Sequence, residues 1–110
     1  MSTKVGIIDF GLGNLFSINN ACQQVGLETV ITADPKVIKN VDALILPGVG
    51  AFGDAMNELI EKNITSAILD FVKTGKPFLG ICLGMQLLFS ESAEFGNCKG
   101  LDLIKGKIVK

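Results

Sequence analysis

Histidine is absent from the 110 residues. That count constrains the chemistry more than any other, because a thiol nucleophile in hydrolysis normally needs a neighbouring base that takes and returns its proton. A catalytic cysteine in this chain would have to find its histidine outside these residues. Cysteine is sparse as well. Cys22, Cys82 and Cys98 lie far apart with no C-x-x-C pair, so neither a disulfide framework nor a zinc site is suggested, and no metal is expected. No apolar run approaches the length of a membrane span, and M-S-T-K-V-G-I-I-D leads straight into a strand rather than a signal sequence, so the expected location is cytoplasmic. A formal net charge of -1 gives no reason to expect nucleic acid or an acidic membrane surface as a partner. Apolar residues, by contrast, make up 48% of the chain, which suits a heavily buried sheet within one ordinary domain.

Apolar periodicity lays out alternating strands and helices. Residues 5–9 read as a buried first strand that opens through F-G-L-G-N-L into a helix from about 14 to 25. Leu15, Ile18, Cys22 and Val25 recur there at intervals of three and four, which makes Cys22 part of the buried stripe. The G-L-G-N turn lacks both the G-x-G-x-x-G spacing and a following G-K-[ST], so nucleotide binding is set aside. Residues 28–32 form a second strand, Asp34-Pro35 has the form of a cap and first-turn proline opening a brief helix, and residues 41–46 form a third strand ending at P-G-V-G. Two helices follow over 52–62 and 64–73, with Met56 read as core packing. This is the rhythm of an open parallel α/β sheet. Beyond Phe89 the pattern weakens, and residues 90–100 read as a helix end running into a polar loop that carries Cys98 as an incidental thiol.

The most informative stretch is K-P-F-L-G-I-C-L-G-M-Q-L-L-F, residues 76–89. Residues 77–81 read as a short, fully buried strand and 83–89 as a helix with Leu83, Leu87 and Leu88 on one side. Cys82 sits at the junction, flanked by Gly80 and Gly84 as G-x-C-x-G. This is the thiol counterpart of the G-x-S-x-G elbow, whose small residues let the backbone turn sharply and push the nucleophile outward. The start of a helix favours a thiolate, and its first amides, beginning with that of Leu83, can donate to a developing oxyanion. A small core thiol is the competing reading, and the framing glycines argue against it. The loop Pro47-Gly48-Val49-Gly50 follows the carboxyl end of the third strand, where open α/β sheets place their ligands. Its glycines leave amides free to reorient, as a second oxyanion donor requires, although a plain turn uses the same residue types.

Four segments together resemble a family. G-I-I-D-F-G-L-G-N-L, L-P-G-V-G-A-F-G-D-A-M, G-I-C-L-G-M-Q-L-L-F and K-G-L-D-L-I-K-G are similar to class I glutamine amidotransferases, and more closely to the glutaminase subunit of imidazole glycerol phosphate synthase, from histidine biosynthesis. The resemblance runs along essentially the whole chain but reaches only about the first half of the family domain. It implies an open parallel sheet in a flavodoxin-like, doubly wound three-layer sandwich, incomplete here, with residues 1–110 as the amino-terminal part of a single domain. It also implies that Cys82 attacks the side-chain amide of glutamine, forming a glutamyl thioester and releasing ammonia. Val49 and Leu83 would offer the backbone amides of the oxyanion hole, supported by Gly48, Gly50 and Gly84, and Gln86 would contact bound glutamine. Asn14 matches a position near the contact with the cyclase subunit, a β/α barrel that receives the ammonia as the other member of a heterodimer. No metal or organic cofactor is implied.

The family completes its triad with a histidine and a glutamate in a later H-x-E type segment, which these residues do not include. The chain alone is therefore expected to be inactive. Two other readings share the elbow: a paralogue supplying ammonia to a sugar amidotransferase in surface polysaccharide synthesis, and a non-catalytic assembly module that keeps the fold.

Overall fold

The computed structural model describes residues 3–11, 14–94 and 96–109. Four parallel strands form the main sheet: β1 (Lys4–Ile8), β2 (Glu28–Thr32), β3 (Ala43–Leu46) and β4 (Phe78–Gly80), in the order β2-β1-β3-β4. The helices between them are α1 (Leu15–Gln24), α2 (Pro35–Asn40), α3 (Phe52–Glu61) and α4 (Ile64–Lys73). Successive strand residues point to opposite faces, and the apolar run of β1 supplies both. Val5 and Ile7, with Ile45, pack against Cys22, Leu15 and Ile18 of α1. Ile8, Leu44 and Leu46 pack on the other face with Ile38, Met56, Leu59, Ile68 and Phe71 of the remaining helices. The result is the three-layer α/β arrangement expected from the sequence. At roughly 1.5–3 kcal/mol for each large aliphatic or aromatic side chain fully buried, the face shared by α2, α3 and α4 supplies most of the driving force.

Local chemistry fixes the helix starts. The Asp34 carboxylate accepts the Lys36 N–H at 2.9 Å, ahead of a first-turn proline. Asn14 caps α1, its side-chain oxygen accepting the Ser17 N–H at 3.3 Å. Cys22 is buried, as its place in the apolar stripe predicts.

Three sequence expectations are corrected. The fully buried strand over 77–81 is instead the three-residue β4 at the edge of the sheet, with Leu79 54% exposed. One face is covered, with Phe78 packed against the main core, whereas Leu79 on the opposite face stays exposed, and among the described residues no strand pairs beyond β4. The helix expected over 83–89 is α5 (Leu83–Gln86), only four residues long. To continue it through 89, the Leu88 N–H would have to reach the Gly84 carbonyl four residues back; it donates instead to the Met85 carbonyl at 3.2 Å, so the last turn tightens and Phe89 enters a strand opposite Ile104. The Leu87 carbonyl accepts from Leu101 at 2.8 Å, and that of Leu88 accepts from Leu103 and Ile104 at 2.8 and 2.9 Å, which ties the chain after α5 to residues 101–104. The supposed polar loop at 90–100 holds strands, β5 (Phe89–Ser92) and β6 (Cys98–Lys99), which with β7 (Ile104–Ile108) form a second sheet ordered β6-β5-β7.

Asp102 ties that second sheet together. Its carboxylate accepts from Lys105 Nζ at 2.7 Å and from Ser90 Oγ at 2.6 Å, and these bonds hold it below the usual carboxylate range. A lowered folded value means the tie stabilises above the ordinary carboxylate pKa and is lost as pH falls through the folded one.

Candidate active site

β3 and β4 lie side by side with Leu46 opposite Gly80, so the two loops leaving their carboxyl ends meet. The Ile81 N–H donates to the Leu46 carbonyl at 3.0 Å, carrying the ladder one step further. At Cys82 the backbone then turns through φ 55, ψ -120, outside the regions an L residue favours. Such a conformation costs on the order of 1–3 kcal/mol and persists only where surrounding bonds impose it. Here the Gly84 N–H closes onto the Ile81 carbonyl at 2.9 Å, while Met85 and Gln86 donate to the Cys82 carbonyl at 3.0 and 3.2 Å. Cys82 is exposed, whereas Cys22 is buried and Cys98 half-buried. The competing core-thiol reading of Cys82 therefore does not describe this fold.

The framing glycines are required by close approach. A Cβ on Gly84 would lie 1.8 Å from the Leu46 carbonyl oxygen, and one on Gly80 would lie 2.7 Å from Met85 Cα. Both contacts are backbone against side chain, so neither can be relieved by rotating a neighbour. Gly50 has a different need: its φ of 106 is open to glycine and strained for other residues.

Among the oxyanion donors expected from the sequence, the Leu83 N–H is engaged, donating to the Gly48 carbonyl at 3.2 Å. With Gly84, Met85 and Gln86 also bonded to backbone carbonyls, all four amides of this turn are satisfied internally. A peptide's C=O and N–H point in opposite directions in the trans form, and no cis bond occurs among the described residues. With the Gly48 carbonyl aimed at Leu83, the Val49 N–H on the same peptide points away from the elbow. Gln86 closes α5 one turn past Cys82 and is half-buried. Asn14 acts as the α1 cap and takes part in none of the elbow's backbone bonds.

Two features went unread in the sequence. Phe10 is 1% exposed, and its ring tip lies 3.4 Å from where a Gly48 Cβ would sit. Within F-G-L-G-N-L it carried only a turn signal. Ser92 and Cys98 come back to Ala51, Phe52 and Gly53, just beyond the P-G-V-G loop, around a cavity of about 250 Å³. Short polar strands give no periodic signal that would have predicted that return.

The strain at Cys82 makes a prediction. Cys82→Gly should raise stability by about 1 kcal/mol, since glycine accepts the positive φ and the gain outweighs its larger unfolded entropy. Urea denaturation would check this. A clear loss of stability would mean the thiol itself holds the turn.

Residues 6–110 match the profile of the glutamine amidotransferase class-I family, and the chain belongs to that family. It is 57% identical over 105 residues to the imidazole glycerol phosphate synthase subunit HisH of Sulfurimonas denitrificans, covering 96% of this chain and 51% of that protein. It is 50% identical over 106 residues to the HisH subunit of Bacillus subtilis, covering 96% of this chain and 50% of the relative. The chain thus spans about half the length of the curated relatives it matches. A crystal structure of a glutamine amidotransferase superposes with TM-score 0.81 at 20% identity, over 96% of this chain and 56% of the other. A peptidase from an acI-B1 Actinobacterium gives TM-score 0.74 at 14% identity, over 91% and 51%. Those two likenesses speak for the fold alone. Among the described residues no helix is long and apolar enough to cross a membrane.

Proposed function

We propose that this chain is the amino-terminal part of a class I amidotransferase domain, the glutamine-hydrolysing subunit of imidazole glycerol phosphate synthase, with Cys82 as nucleophile. The observation that carries the reading is an exposed cysteine held at φ 55, next to a residue, Leu83, whose N–H donates to the Gly48 carbonyl of the neighbouring loop. In this reading the Cys82 sulfur adds to the side-chain amide carbon of glutamine, the C–N bond breaks, and nitrogen leaves as ammonia once it has gained a proton. Water then releases glutamate from the thioester. The proton carrier is a histidine outside these residues. The donors follow from one rotation: turning the Gly48–Val49 peptide over frees the Leu83 N–H and swings the Val49 N–H toward the elbow at the same time, with Gly50 absorbing the change. Gln86 holds the substrate. The ammonia passes to a cyclase subunit docked near Asn14, in the cytoplasm.

Two observations support the partial-domain reading. The edge of β4, Phe-Leu-Gly, carries no charge, whereas the edge strand β7 carries Lys105 and Lys107, residues of the kind that blunt an edge. Beside β4, Val5, Leu27, Ala43, Ile45 and Leu79 line an open apolar recess. Both features suit further chain packing there. The assembly-module reading is disfavoured because a scaffold gains nothing from a strained, exposed cysteine.

A glutamine-derived chloroketone tests the reading. It should alkylate Cys82 in preference to Cys98 and Cys22, and excess glutamine should slow the reaction. Equal rates with a plain chloroketone of matched reactivity, unaffected by glutamine, would mean that no glutamine site is present.

A further inference from the structure

The backbone of β4 is paired on one side and free on the other. The Leu44 N–H donates to the Pro77 carbonyl and the Ile81 N–H to the Leu46 carbonyl, both at 3.0 Å, so the odd-numbered residues of this segment turn their backbone groups toward β3. The N–H and C=O groups of Phe78 and Gly80, between them, point outward along the edge. β4 itself carries no charge. Lys76, just before it, is turned back: its Nζ donates to the Val41 carbonyl at 3.1 Å and lies 5.7 Å from the centre of the Phe71 ring. Leu79, 54% exposed, shares the face of its register partner Ile45, beside the recess lined by Val5, Leu27 and Ala43. No run outside the described residues is longer than two residues, too short to pair along the whole of β4.

We propose that this edge is a self-association site, taken in the chain as it stands by a second copy in a twofold dimer whose two β4 strands pair antiparallel about Leu79. In that register Phe78 of each copy lies opposite Gly80 of the other, and each such pair exchanges both N–H···O bonds, so every outward group finds a partner. Centring the pair on Phe78 or Gly80 would instead set Gly80 against Lys76, or Phe78 against the sharply turned Cys82. Leu79 faces Leu79 of the second copy as a non-hydrogen-bonded pair, where side chains come closest, and the two apolar recesses adjoin on one face of a continuous sheet. The contact uses the same edge on both chains, so it closes at two. The remainder of an amidotransferase domain would take this same edge, so the dimer belongs to the chain without it. The inference makes no use of the thiol, and its test is independent of glutamine binding.

Sedimentation and amide exchange on the 110-residue chain provide that test. The contact is small, so the mass should rise from one chain to two between about 1 and 100 µM. Over that range the Phe78 and Gly80 amides should slow at least about tenfold in exchange, and the Leu79 amide, turned toward β3 in both states, should change less. Leu79→Lys, at an exposed position, sets like charges against each other at the twofold and should raise the concentration needed for dimers about tenfold or more. Should that variant fold poorly, the exchange result on the parent chain decides alone. A chain monomeric across the range would leave the edge to a different protein and overturn the proposal. A dimer whose Phe78 and Gly80 amides exchange as in the monomer, or one that a folded Leu79→Lys leaves unchanged, would overturn it as well.

Discussion

Gly84→Ala should leave the chain without a cooperative thermal transition. The new Cβ would stand 1.8 Å from the Leu46 carbonyl oxygen and 2.6 Å from its carbon, both backbone atoms at the buried end of a central strand. Real contacts of this kind begin near 3.0 Å, so α5 would have to lift from β3 by more than an ångström. That displacement opens the bonds from Ile81 to Leu46 and from Leu83 to Gly48, and it uncovers Leu83 and Leu87, 5% and 0% exposed. The combined loss is at least about 4 kcal/mol, against about 5–15 kcal/mol for the whole stability of a typical domain. Gly53→Ala is the matched control. There the nearest atom is the Cys98 sulfur at 2.9 Å, the end of a side chain that can rotate, and alanine is tolerated in the first turn of α3, where Gly53 lies. Circular dichroism melts should show the control within a few degrees of the parent and no cooperative melt for Gly84→Ala. A Gly84→Ala protein melting like the parent would mean that α5 does not rest on β3 as described.

The contrast between these two glycines shows where sequence reading succeeds and where it stops. G-x-C-x-G announced a sharp turn, because only small residues tolerate one, and the run of elements before it announced a parallel sheet. Both inferences rest on local pattern. The engagement of Leu83 by Gly48 was not legible, since it joins residues 35 positions apart and depends on how two strands are registered. The length of α5 was hidden for a similar reason: Leu83, Leu87 and Leu88 keep helical spacing, yet from Leu87 on the chain is bonded to residues 101–104, far along the sequence. Phe10 is the sharpest instance. An aromatic residue in a glycine-rich turn carries no sign of what lies beneath it, and only the fold brings its ring beside Gly48.

Purified alone, this chain should release ammonia from glutamine no faster than its Cys82→Ala variant. Attack by sulfur is only half of a turnover: the departing nitrogen needs a proton, and the thioester then needs a water stripped of one. With no histidine among the 110 residues, no imidazole can shuttle between those steps. Removal of one member of such a catalytic group typically costs about 10⁴–10⁶ in rate, or roughly 5–8 kcal/mol of transition-state stabilisation. A single acylation without deacylation would appear at most as one ammonia per chain, which a coupled glutamate dehydrogenase assay separates from steady release. The second arm supplies the remainder of a relative, the carboxy-terminal half of the Sulfurimonas denitrificans HisH subunit, by co-expression. If the uncharged edge of β4 and the recess beside it receive that half, the base arrives next to Cys82 and steady release should rise at least about a thousandfold. Steady release by the lone chain that disappears in Cys82→Ala would place the proton carrier within these residues, and the amidotransferase account of Cys82 would have to be rebuilt around a different base.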